Sequence, residues 1–253
     1  MKKRGQVTTF MIVGFVILIL VVLIFSLRRA GVGMTSNEYL QTNLEDVKTV
    51  INDCIDKETL SVVDLIGKQG GYLNPTSYRM YNGYKVAYLC GNIPDTDLCM
   101  NQMVSQTQIE NELANNLKLN LPYCVNIDQL SKRLFFPEIS VGDLDVKTTI
   151  DKEAIVYEIN YPITLKKGDS KVELTTYKKS VNVPLGKLLD TTYDIVNSEA
   201  TNGVFFDVPY MLANRGRVEI FKDQPYPDKI YKLNVRDSNY IFQFAIQNEG
   251  ENE

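Results

Sequence analysis

The strongest constraint on this chain is an apolar run over residues 10–27, in which only Gly14 and Ser26 are not strongly apolar and no charge intervenes. As a helix, eighteen residues extend ~27 Å, and Thr8 and Thr9 bring the length to ~30 Å, the hydrocarbon thickness of a bilayer. A helix satisfies its own backbone polar groups in lipid. The run therefore predicts an N-terminal transmembrane helix over residues 8–27. Leu, Ile, Val and Phe all round, with no polar face, exclude an amphipathic helix lying on a surface. The competing reading is a buried helix of a soluble core, which seldom carries so long an apolar run.

The flanks bear on orientation. Lys2, Lys3 and Arg4 precede the run, and Arg28 and Arg29 follow it. The larger positive cluster favours a cytoplasmic N-terminus. Setting those five cations aside leaves 22 Lys and Arg against 31 Asp and Glu, a net of −9 on the rest of the chain. A cleaved secretory signal fits less well. The apolar core is long for one, and Arg28-Arg29 stands where a small-residue cleavage site belongs.

Lys-Lys-Arg-Gly-Gln directly before the run resembles the class III, type IV pilin-like signal of archaea. The resemblance implies a prepilin-type peptidase cutting between Gly5 and Gln6, with the helix kept on the mature protein. The mature fifth residue is then Phe10, where bacterial pilins carry a Glu, so the charge-based register of bacterial filaments does not carry over.

The remaining ~220 residues suit one large or two small domains. The expected order is a leader at 1–5, a membrane helix at 8–27, a juxtamembrane linker at 28–35, a helical subdomain with a hairpin at 36–129, a β-rich subdomain at 130–248 and an acidic tail at 249–253. Ser36 is a plausible N-cap. Leu40, Leu44, Val47, Ile51 and Cys54 form one helical stripe, continued by Val62, Leu65 and Ile66 after a polar patch at 56–59, which leaves room for a break or kink. Gly70-Gly71 stops the helix. Asn82-Gly83 between Tyr-rich arms predicts a hairpin over 78–89. A second helix is expected over 103–119, with Val104, Ile109, Leu113 and Leu117 on one side.

Beyond it the period changes. Residues 144–150, 154–165 and 171–183 read as strands of an antiparallel β-meander with turns at 151–153 and 167–170. A helix follows Pro184 to about Ala200, with Leu185, Leu188, Leu189, Tyr193 and Val196 inward and Asp190, Asp194 and Asn197 outward. Residues 217–222, 229–235 and 240–247 are three further strands. The predicted class is α+β, with a transmembrane helix, a helical first half with a hairpin, and then the meander with a crossing helix.

Cys54, Cys90, Cys99 and Cys124 all lie beyond the apolar run. An even count in an exported domain suggests disulfides. Of three connectivities, Cys90–Cys99 with Cys54–Cys124 is preferred: one closes a polar Gly/Pro/Asp loop, the other ties the first helix to the end of the second. Their chain-entropy contributions are roughly 3 and 4 kcal/mol. Four reduced thiols in a cytosolic domain are the alternative. Cys54-Ile-Asp, the spacing Gly67-x-x-Gly70-Gly71-Tyr72 and Cys124-Val resemble an uncharacterised family of anchored surface proteins in DPANN-type archaea, over about residues 1–200. This implies surface exposure and no particular activity.

With no His in the chain, Ser-His-Asp and Cys-His catalysis and His-ligated metals are excluded. No P-loop or dinucleotide fingerprint is present. The pairs Asp95/Asp97 and Asp143/Asp145 read as solvated turns before weak calcium sites. Tyr78, Tyr81, Tyr84 and Tyr88 read as a strand face before a sugar platform. The acidic balance argues against nucleic acid. No enzyme activity, cofactor or metal is expected. Two functions remain: an anchored surface protein for adhesion or partner binding, or a pilin-like subunit of a filament or pseudopilus. The implied partners are a lipid bilayer, the peptidase and, for the filament, other pilin-like subunits.

Overall fold

The computed structural model describes residues 6–29, 36–96, 98–134, 138–215 and 217–248. In chain order the elements are α1 (Gln6–Arg29), α2 (Ser36–Lys68), β1 (Tyr78–Tyr81), β2 (Tyr84–Asn92), β3 (Cys99–Asn101), α3 (Gln106–Val125), α4 (Ile127–Leu134), β4 (Glu138–Val141), β5 (Asp145–Ile150), β6 (Ile155–Lys167), β7 (Ser170–Val181), α5 (Leu185–Asn202), α6 (Asp207–Ala213), β8 (Val218–Asp223), β9 (Lys229–Val235) and β10 (Ile241–Ile246). The class is α+β.

The transmembrane helix expected over residues 8–27 is corrected. Among the described residues no helix is long and apolar enough to cross a membrane. The described side chains of α1 are those of residues 11–24. The apolar members among them are all exposed, from Ile19 at 47% to Met11 at 75%. The leader at 1–5, residues 30–35 of the linker and the tail at 249–253 lie outside the described residues.

α2 is a single helix of 33 residues, about 50 Å long. The helix is unbroken at 56–59. The buried stripe runs from Ile51 through Ile55 and Thr59 to Val63 and Ile66, so packing continues across the polar patch. Leu65, expected inward, is exposed. α3 begins at the N-cap Ser105, whose side chain accepts from the Gln108 N–H, and continues past the expected end through Pro122 to Val125. Cys54–Cys124 joins α2 to the end of α3, and Cys90–Cys99 joins β2 to β3.

Two sheets share the core. In one, β5, β6 and β7 form an antiparallel meander, with β4 pairing the far end of β6. Strict alternation turns Ile155, Tyr157, Ile159, Tyr161, Ile163 and Leu165 of β6 inward. α2 and α3 pack against this sheet. The other sheet is mixed, in the order β1-β2-β10-β9-β8 with β3 on β2. Its β2–β10 pairing is parallel. The expected meander is present as β5–β7, and the hairpin of the first half is built into a sheet with the last three strands. Period-2 patterning marks a strand but carries no information about a partner 150 residues away.

The end of α2 holds these parts together. β2 and β10 pair at Tyr88–Ala245 and Cys90–Ile246. Beyond that pairing, the turn after α2 touches both strands. A Cβ on Gly70 would lie 3.2 Å from Ala87 Cβ and 3.3 Å from the Gln243 carbonyl oxygen. A Cβ on Gly67 would collide with the Ile241 carbonyl oxygen and lie 2.7 Å from Tyr240 Oη. Gln243 Nε2 donates to the Lys68 carbonyl at 2.7 Å. The Gly67-x-x-Gly70-Gly71 spacing is thus a close-approach device.

Gly67→Ala is expected to lower stability by about 1–3 kcal/mol through overpacking. Gly168→Ala, at φ +60° in open space, should cost about 1 kcal/mol from the left-handed conformation alone. Urea unfolding of the oxidised protein measures both. A Gly67 variant no worse than the Gly168 variant would contradict the packing.

Candidate functional site

α5 forms through a steep division of faces. Leu185, Leu188, Leu189, Ile195 and Val196 are buried against the mixed sheet and its neighbours. Asp190 and Asp194 lie on the outer face. Tyr193, expected inward, is 57% exposed. Its spacing satisfies a 3.6-residue stripe, but Thr192 occupies the buried position instead and donates from its hydroxyl to the Leu188 carbonyl at 2.8 Å.

A buried carboxylate fixes the helix on the sheet. Glu199 is 2% exposed. It accepts from Tyr231 Oη at 2.5 Å and from Lys229 Nζ at 2.7 Å, and Lys229 also reaches the Gly203 carbonyl at 3.2 Å. Tyr231 is stacked on Phe244 and edge-on to Phe205. Burial first, then the Glu199 carboxylate, hold the Tyr231 hydroxyl protonated far above its ordinary range.

Two adjoining hollows flank the outer face of α5 and share Asp190 and Asp194. The first, of about 570 Å³, lies between α5 and the segment entering α3. Met103, Val104, Leu189 and Tyr193 give it an apolar wall. The second, of about 650 Å³, lies between α5, the turn after β5 and the α6–β8 connection. Lys152, Lys187, Arg215 and Arg217 contribute cations there, and Glu153, Asp190 and Asp194 contribute acids. Lys187 pairs with Glu153 at 3.3 Å and Lys152 with Asp190 at 3.7 Å. Tyr210 Oη donates to Asp194 Oδ2 at 2.7 Å. Burial, then that hydrogen bond, push Tyr210 up to about 12. Together the hollows form one groove, apolar at one end and charged at the other.

The other residues singled out in the sequence fall elsewhere. Gly5 lies outside the described residues, and Gln6 opens α1. None of the four cysteines lines the groove, although Cys99 lies in β3, whose Asn101 does. Asp97 also lies outside the described residues, and Asp145 pairs with Lys118 at 3.1 Å. Among the described residues no group of three or more acidic or cysteine side chains is placed to hold a metal ion. The Tyr cluster divides by strand alternation: Tyr81, Tyr84 and Tyr88 share one face with Arg79, and Tyr78 is on the other. Lys85, Lys232 and Lys68 sit over the rings of Tyr78, Tyr81 and Tyr84 at 5.0, 4.6 and 5.0 Å. Those ring faces are therefore occupied, which disfavours sugar stacking. On the same sheet face the buried Asp228 accepts from Arg79 Nη1 at 2.5 Å and Tyr88 Oη at 2.7 Å. Burial, then Asp228, raise Tyr88 to about 12.

The sequence reading missed the groove. Of its members, Asp190 and Asp194 carried a signal as polar positions at helical spacing, but Arg215, Arg217 and Met103 carried none. Comparison with protein-family models, with curated proteins and with solved structures returned no match.

Two measurements check this geometry. Lys229→Met leaves the Glu199 carboxylate buried without its cation and is expected to cost about 3–5 kcal/mol. The double variant Lys229→Met/Glu199→Leu should recover a large part of that loss in urea unfolding; equal destabilisation would deny the coupling. In a phenolate absorbance titration, Tyr88 and Tyr210 should ionise near 12. Their folded values exceed the unfolded value of 10, so the stability they contribute is complete below pH 10 and is lost as pH rises from 10 to 12. Titration of every tyrosine near pH 10 in the folded protein would refute the assignment.

Proposed function

We propose that this chain is a non-catalytic extracytoplasmic surface protein, kept at the cell membrane by its apolar N-terminal helix and binding a partner through its head. The observation that carries the reading is the separation between the two ends of α2. The start of α2 follows α1 by six residues, which extend at most ~25 Å. Its end meets the groove: a Cβ on Gly71 would lie 2.5 Å from Cγ1 of Val104. α2 thus sets the groove about 50 Å from the residue nearest α1, a distance suited to presenting a binding surface away from the point of attachment.

Two further observations support the reading. The exposed apolar side chains of residues 11–24 need cover from outside the chain, and a lipid phase supplies it. Both disulfides lie in the head, as an oxidising compartment favours. The head is then outside the cytoplasm, and a prepilin-type peptidase cuts between Gly5 and Gln6.

A second reading is favoured by the same exposed helix. Copies of α1 packed side by side bury residues 11–24 equally well, as in a pilin-like filament or pseudopilus. Microscopy of surface material with an antibody to the head separates the two. Diffuse label around the cell is expected for the lone anchored protein, and label along filaments would replace it with the subunit reading. Mass spectrometry of the mature chain should find Gln6 at its N-terminus; an intact Met1 would remove the pilin-like processing from both. Alkylation of unreduced cells should leave all four cysteines unmodified, whereas free thiols would place the head in the cytosol.

A further inference from the structure

We propose that the groove along α5 takes an acidic peptide segment with an apolar anchor residue, supplied by a partner protein. The proposal rests on the reading of the head as a partner-binding module and names the chemistry of what it binds.

The charged hollow holds four cations and three acids, and the acids are already engaged. Glu153 faces Lys187, Asp190 faces Lys152, and Asp194 accepts from Tyr210. Among the described residues Arg215 and Arg217 have no carboxylate within ion-pair distance, although both line the hollow. A guanidinium offers a planar fork of donors that matches a carboxylate. Two such forks at the rim of one hollow are unfilled positions for carboxylates. The pairs Lys152–Asp190 and Lys187–Glu153 are largely exposed on at least one side, hold little energy, and rearrange at small cost when an acidic group enters.

The adjoining hollow selects between acidic ligands. Val104 and Leu189 are buried in its wall, and Tyr193 stands exposed beside them. An aliphatic or aromatic side chain fills such a space. A uronic acid polymer has none to offer, whereas a peptide carries acids and an apolar side chain a few residues apart. With the two hollows sharing Asp190 and Asp194, an extended segment spans both. Its apolar residue lies beside Tyr193 and its carboxylates reach Arg215 and Arg217.

The test uses the full chain in detergent and two labelled synthetic peptides, Asp-Glu-Phe-Leu-Asp-Glu and Lys-Lys-Phe-Leu-Lys-Lys, followed by fluorescence polarisation. The acidic peptide should bind, more weakly as salt rises, and the basic one should not. Arg215→Ala/Arg217→Ala should weaken binding about tenfold or more, and Tyr193→Ser should weaken it with little change in salt dependence. Both sites are exposed, so thermal unfolding should match the parent, and that measurement accompanies each variant. No binding, preference for the basic peptide, or indifference to the arginine pair would overturn the proposal. So would tighter binding of polygalacturonate than of the acidic peptide. Surface label and disulfide protection in cells test the underlying reading separately: a head found outside the cell that ignores the acidic peptide refutes the ligand class alone.

Discussion

The rest of this structure depends on how closely the end of α2 approaches the mixed sheet. A 33-residue helix must pass from the meander to a sheet whose strands come from both ends of the chain. It does so by ending in residues without side chains where β2 and β10 part. Gly67 and Gly70 bring helix backbone against strand backbone, and Gln243 satisfies the Lys68 carbonyl left over at the helix terminus. The apolar stripe of α2 then faces one continuous cluster that includes Ile109 and Leu113 of α3, Ile159 and Ile163 of β6, and Phe242 and Phe244 of β10.

Stabilisation along α2 differs from end to end. Near its start, Lys167 of the β6–β7 hairpin lies 3.6 Å from the Tyr39 ring centroid. In the middle, Asp56 pairs with Lys179 at 2.8 Å and Cys54 is bonded to Cys124. The partly buried ion pair contributes modestly, whereas the disulfide restricts the unfolded chain over a separation of 70 residues. The helix is thus tied to both its neighbours before it reaches the sheet, and its far end is positioned by packing.

Elements whose signals are local were legible in the sequence. Asn82-Gly83 specifies its turn because both residues take positive φ, at 48° and 84°. The alternation in β6 and the stripes of α3 and α5 follow from one buried face each. What was not legible depends on partners distant in the chain. The parallel pairing of β2 with β10 leaves no trace in either strand. Tyr193 fits an apolar stripe and is nevertheless outside, because Thr192 meets its own hydrogen-bonding need within the helix and occupies the buried position. α4 and α6 escaped notice because eight and seven residues are too few to show a period. The apolar run was conspicuous, but hydropathy reports only that its side chains need cover.

The groove follows from the same division of labour. Glu199 is buried near the C-terminal end of α5, bound to Lys229 and Tyr231. At the other end the backbone of α5 meets the turn after β5, where a Cβ on Gly186 would lie 2.5 Å from the Asp151 carbonyl oxygen and the Lys187 N–H donates to the Lys152 carbonyl. The helix is thus held at both ends from within. Tyr193 therefore stands exposed on its outer face without packing against the core. A buried ion pair is a costly way to hold a helix that Leu185, Leu188 and Ile195 already bury. Its directional contacts fix rotation about the helix axis in a way that apolar packing does not, and that rotation sets where Tyr193 stands relative to Arg215 and Arg217. The two ends of the groove thus keep their spacing through a network that touches neither.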